Sequence, residues 1–174
     1  MPRKKILAQL EGGDRRTIGS ADAVAAFISD HPELFPRLIA GLWSADPLVR
    51  MRAADATEKV TRENHALLKS YKKELLGLMV EAQQQELRWH LAAMVPRLPL
   101  NEKERTLAIA SLTRYLEDSS SIVKTYALQG LADLAEQEPN IRVRVVEILA
   151  EAARSGTPAM KARSRKLLIK LDSA

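Results

Sequence analysis

Apolar residues recur along this chain at helical rather than strand spacing, and four segments repeat the spacing without a gap. They begin Val49-Arg50-Met51-Arg52-Ala53, Leu87-Arg88-Trp89-His90-Leu91, Val123-Lys124-Thr125-Tyr126-Ala127 and Met160-Lys161-Ala162-Arg163-Ser164, with first residues 38, 36 and 37 positions apart. Seven positions on come Ala56, Met94, Gly130 and Leu167, and eleven on come Val60, Leu98, Leu134 and Leu171. Small or apolar residues at offsets 0, 4, 7 and 11 make one face of a helix. Offset 1 is basic in all four segments: Arg50, Arg88, Lys124 and Lys161.

Each of these helices is preceded by another. Pro32 to Trp43 reads as a helix, and Asp46-Pro47 then supplies an N-cap and a first helical residue. Tyr71 to about Ala82 precedes the Arg88 helix, across a polar turn at Gln83-Gln84-Gln85. Asn101 with Glu104 is a capping-box signal for a helix reaching Leu116, and Asp118 to Ser121 is its turn. Pro139 to Arg154 leads to Ser155-Gly156-Thr157-Pro158, a stop followed by a cap-plus-proline start. Pro96 should kink or end the second repeat's inner helix. The unit is helix, turn, helix, linker, repeated at about 37 residues, near the period of HEAT and armadillo units.

Within the first hairpin, Asp46-Pro47-Leu48-Val49-Arg50-Met51-Arg52-Ala53-Ala54-Asp55-Ala56 resembles the second-helix pattern of HEAT repeats, an Asp, a Val-Arg pair and spaced alanines. The resemblance extends over residues 30–172. It implies an all-α fold, a right-handed α-α superhelix of about four hairpins at 32–64, 65–99, 100–137 and 138–172. Residues 1–31 stand apart from this array of residues 32–174. Gly12-Gly13-Asp14-Arg15-Arg16 reads as a loop, and Ser20 as the cap of a short helix, Ala21 to Ser29. That segment is expected to cover the first hairpin's open face, as terminal units of repeat proteins must. In HEAT families the turn Asp and the following Arg often form a ladder between repeats; here only Asp46 matches the acidic position, against four basic matches.

Composition narrows the function. Hydrophobic residues make up 46% of the 174 and aromatics only 4%, a balance that favours close-packed helices over sheets. The absence of cysteine excludes disulfides, thiolate metal sites and a cysteine nucleophile, and fits a reducing cytoplasm. No apolar run approaches the ~18 residues of a membrane span, and Ile6-Leu7-Ala8 is too short for a signal core. The expectation is a cytoplasmic monomer. The net charge is +5, but residues 1–17 contribute +3, residues 157–174 contribute +4, and the middle carries −2. A nucleic-acid groove usually needs a continuous basic stripe.

Stacked second helices place equal offsets side by side, so partner-facing positions read as rows. Offset 3 gives Arg52, His90, Tyr126 and Arg163; offset 2 gives Met51, Trp89, Thr125 and Ala162; offset 6 gives Asp55, Ala93, Gln129 and Lys166. Trp, Tyr and Arg are the types enriched at binding hot spots. Arg52, Asp55, Trp89, His90, Tyr126, Gln129, Arg163 and Lys166 are therefore the candidate binding residues for a protein partner. For Trp89 and Tyr126 the structural alternative is packing between hairpins. The three histidines lack metal-ligand spacing, Gly12-Gly13 is no phosphate loop, and Ser119-Ser120-Ser121 reads as a turn and cap. No catalytic constellation and no cofactor are expected. The competing reading is nucleic-acid binding, through a resemblance to HEAT-like alkylpurine DNA glycosylases, whose catalytic acid finds no counterpart here. A texture similar to HEAT-like bilin lyases brings no residue set with it.

Overall fold

The computed structural model describes residues 6–14 and 17–173, whose regular elements are all helical, with no strand among them. Arg3, Lys4, Lys5, Arg15 and Arg16, part of the basic N-terminal segment, lie outside the described residues. Nine α-helices occur among the described residues: α1 (Ala21–Asp30), α2 (Phe35–Ile39), α3 (Pro47–Glu63), α4 (Lys72–Glu81), α5 (Gln85–Met94), α6 (Glu102–Tyr115), α7 (Ser121–Gln137), α8 (Arg142–Ser155) and α9 (Pro158–Asp172). Contacts divide the chain into two compact units, Met1–Ser70 and Tyr71–Ala174.

Cap chemistry sets most helix starts. The Asp46 carboxylate accepts from the Leu48 amide at 2.8 Å, with Pro47 at the first helical position of α3. Asn101 and Glu104 exchange both bonds of a capping box, at 2.8 and 3.0 Å, and so begin α6. Ser120 and Thr157 accept from the amides of Val123 and Met160 to begin α7 and α9. Ser20, by contrast, makes no side-chain cap bond at α1. Pro96 acts as expected: α5 ends at Met94, a 3₁₀ turn spans Val95–Arg97, and Leu98 is extended.

The count of four regular hairpins needs correction. The helix expected over Pro32–Trp43 is a 3₁₀ turn Pro32–Leu34, the five-residue α2 and a second 3₁₀ turn Ala40–Trp43. Pro36 removes the amide that would bond to the Pro32 carbonyl, which disfavours a continuous ladder there. Gly41 then sits where an added Cβ would meet the Ala53 Cβ at 2.6 Å, so the short segment lies close against α3. Regular helix pairs are confined to the second unit: α4–α5, α6–α7 and α8–α9.

Offsets 0, 4, 7 and 11 form the core stripe in every case. Val49, Ala53, Ala56 and Val60 are buried on α3, as are Leu87, Leu91, Met94 and Leu98 from α5 onward. Val123, Ala127, Gly130 and Leu134 are buried on α7, and Ser164, Leu167 and Leu171 on α9; only Met160 is half-buried. In the second unit α7 packs against α5, α6, α8 and α9, and α4 packs against α5 and α6. A Cβ at Gly130 would lie 2.8 Å from the Ala92 carbonyl oxygen, which is how closely α7 approaches α5.

Charged groups tie neighbouring elements together. Arg50 and Arg88, both at offset 1, donate to the carbonyl six residues back in the preceding turn, Ser44 at 2.7 Å and Ala82 at 2.8 Å. Arg88 also pairs with the buried Asp118 carboxylate in the turn after α6 and lies 5.4 Å from the centre of the Tyr115 ring. Asp118 ties the turn after α6 to α5 although it stands outside the Asp46 register. It sits two positions earlier than the Asp46 register, because Ser120 has taken the cap. The buried Tyr115 hydroxyl donates to the Met79 carbonyl at 2.6 Å, joining α6 to α4.

In the first unit Arg52 is a buried cation. It is 2% exposed, and its guanidinium donates to the carbonyls of Leu10, Gly12, Asp14 and Thr17 at 2.6–3.3 Å. Gly19, at φ +53°, lies so close that a Cβ would meet the Arg52 Cζ at 2.8 Å. The planar fork reaches several carbonyls that a single ammonium cannot. Arg52→Leu is expected to cost about 2–4 kcal/mol and Arg52→Lys to restore less than half of it. Urea melts read the cost, and hydrogen exchange should show faster exchange at Gln9, Thr17 and Ala21.

Candidate protein-binding surface

The expected partner rows do not form a uniformly exposed surface. Along offset 3, Arg52 is 2% exposed and His90 8%, whereas Tyr126 is 38% exposed and Arg163 also faces solvent. Offset 2 passes from buried Met51 through half-buried Trp89 and Thr125 to exposed Ala162. Offset 6 passes from half-buried Asp55 and buried Ala93 to half-buried Gln129 and exposed Lys166. The candidates therefore sort by helix: those of α3 and α5 are buried or half-buried, and those of α7 and α9, apart from half-buried Gln129, are exposed.

The reason on α3 is the N-terminal segment. Arg52 is enclosed by the backbone carbonyls of Leu10, Gly12, Asp14 and Thr17, which corrects its expected place on a surface. Asp55 accepts from Lys59 at 2.7 Å, and Lys59 also bonds to Asp22 of α1. Burial works against the Lys59 charge, but hydrogen bonds to Asp22 and Asp55 outweigh it and raise its pKa. Arg52 thus holds the chain's own first residues, and Asp55 reaches α1 only through Lys59.

On α5, His90 is likewise buried rather than presented. Its Nδ1 lies 2.6 Å from the Glu86 carbonyl, and its Nε2 lies 3.2 Å from the Trp89 indole nitrogen. An indole N–H only donates, so in this arrangement Nε2 is the acceptor and Nδ1 the donor. The Trp89 and His90 rings stand 5.4 Å apart, tilted by 48°. Trp89 is half-buried.

The open positions converge between α7 and α9. Arg163 donates to the Gln129 amide oxygen at 3.0 Å, and the Gln129 amide nitrogen donates to Asp133 at 2.7 Å. Lys170 lies 4.0 Å from Asp133 and 2.6 Å from Glu136. Asp133 and Lys170 share offset 10, a row that the sequence reading did not consider, although equal offsets meet there too. Burial holds the Asp133 carboxyl above its usual pKa, against the opposing influence of Gln129, Lys170 and Arg97. Tyr126 lies on the same side of α7 as Gln129 and Asp133, at intervals of three and seven residues. Lys166 has no hydrogen bond or ion pair among the described residues.

The arrangement is suited to recognition by hydrogen bonds and charge. Among the described residues no group of three or more His, Cys, Asp or Glu is placed to hold a metal ion. No helix among them is long and apolar enough to cross a membrane. No family model matches the chain, and no curated protein matches it.

The raised Asp133 pKa has a testable consequence for stability. The folded chain binds this proton more tightly than the unfolded chain, so the group destabilises the fold above its folded pKa. That penalty fades as pH falls through the folded value toward the unfolded value near 3.9. Asp133→Asn keeps an acceptor for Gln129 and removes the charge. The variant is expected to have a higher urea midpoint than wild type at pH 7, with the difference shrinking as pH approaches about 4.

Proposed function

We propose that the chain is a non-catalytic, HEAT-like scaffold that binds a protein partner on the exposed second-helix surface of α7 and α9. The observation that carries this reading is the rise in exposure along the aligned rows, which leaves Tyr126, Arg163 and Lys166 accessible. Repeat arrays present such faces as rigid, curved binding surfaces, and the side-by-side packing of α5, α7 and α9 supports an α-α superhelix in the second unit. Tyr and Arg supply hot-spot chemistry, with Gln129 fixing Arg163 in place. The cations of α9 favour a partner segment that carries carboxylates. The proposal takes the protein to be a cytoplasmic monomer that acts without a cofactor.

Nucleic acid is the second reading. It is favoured by one observation, the exposed Arg163, Arg165 and Lys166 on a single helix. One experiment separates the two. Wild type and the triple variant Y126A/R163E/K166E are compared in crosslinked pull-downs from the native cell and in gel shifts at ~50 mM salt. The expected result is a captured protein whose recovery falls at least about tenfold in the variant, with unchanged circular dichroism and no gel shift. Equal capture by both proteins would reject the surface. A wild-type gel shift that the variant loses would move the reading to nucleic acid.

A further inference from the structure

An open groove lies away from the rows just described, between α6 and α8. These two helices make few direct contacts, although α4 packs on α6 and both α6 and α8 rest on α7. The gap forms two adjoining chambers of about 510 and 440 Å³ that share Ile148. Leu131 and Leu128 of α7 make the floor. One wall is Thr106, Ile109, Ala110, Thr113 and Leu116 of the α6 segment, and the other is Ile141, Val145, Ile148 and Ala152 along α8. Each wall repeats at three to four residues, so each offers one continuous helical row.

The charge on this groove is uneven. Its far end, where α6 and α8 both terminate, is bordered by Glu117, Glu147 and Glu151, while Arg144 lies in the opposite chamber. Glu117 and Glu147 are exposed and have no ion pair among the described residues. Glu151 is bound by Arg154 and Ser155, and those bonds hold its pKa below the ordinary carboxylate value. The C-terminal dipoles of the two helices add partial negative charge at the same end. Leu131 is two residues from both Gln129 and Asp133, about 200° around α7, so this is a second face of the unit.

We propose that the α6–α8 groove is a docking site for an amphipathic helical segment of another protein, with Lys or Arg at one end. Its apolar side chains fill the chambers over Leu128, Leu131 and Ile148, and its basic end lies against Glu117 and Glu147. From Ile141 to Ser155 the groove wall runs about 21 Å, the length of four helical turns. This site is independent of the α7–α9 surface.

The test is selection of a displayed library of random peptides about 16 residues long on the intact protein. Selected peptides are then titrated by fluorescence polarisation against wild type, Ala110→Trp, E117K/E147K and R163E/K166E. Ala110 is exposed on the groove wall, so Trp fills a chamber from outside the core, and the two glutamates are exposed. The expected peptides carry apolar residues at helical spacing with a basic end. Their binding should weaken at least about tenfold in Ala110→Trp and in E117K/E147K, and hold in R163E/K166E. Failure to recover any peptide sensitive to Ala110→Trp, recovery of acidic peptides, or full binding by E117K/E147K overturns the proposal. So does a wild-type dimer in light scattering that Ala110→Trp converts to monomer, which would give the groove to a second copy of the chain.

Discussion

Each of α3, α5, α7 and α9 must hide the side chains at the same four positions, and almost every other feature is arranged around that demand. Every one of those positions but Met160 is buried. The small residues among them let neighbouring elements come close, as where Gly130 leaves no room for a Cβ beside the Ala92 carbonyl. Burying roughly this stripe on each helix supplies the non-directional part of the stability. The polar ties then choose among packings of similar burial: Arg88 to Asp118, Tyr115 to Met79 and Arg163 to Gln129.

That stripe was legible in the sequence because spacing is a local property. Caps were equally legible at Asp46, Asn101, Ser120 and Thr157, where a side chain bonds to an amide two or three residues away. The misreadings involve chain segments distant in sequence. Arg52 shares an offset with Tyr126 and Arg163, and nothing local distinguishes it, yet the carbonyls of Leu10, Gly12, Asp14 and Thr17 close over it from 35–42 positions away. Pro36, which breaks up residues 32–43, was visible. Its effect was underestimated because the apolar spacing continues through it.

The candidate surface divides for the same reason. An offset fixes where a residue points on its own helix but not what lies opposite. On α3 the opposite party is the N-terminal segment, and on α5 His90 turns to its own backbone and to Trp89. On α7 and α9 the same offsets stay open or bond side chain to side chain across the helix pair. Asp118 was missed for a smaller reason, since the acid moved two residues when serine took the cap.

The Arg52 contacts also bear on which sequences can occupy the start of the chain. Among the described residues every acceptor the guanidinium uses is a main-chain carbonyl, so the side chains of Leu10, Asp14 and Thr17 contribute no acceptor to the clamp. The clamp reads the path of the backbone and is blind to most of the residues on it. Only Gly19, and the neighbouring Gly12 and Gly13 with their positive φ angles, are fixed by the geometry. Over evolutionary time this segment can change its exposed residues widely while the one arginine and a few glycines keep it in place.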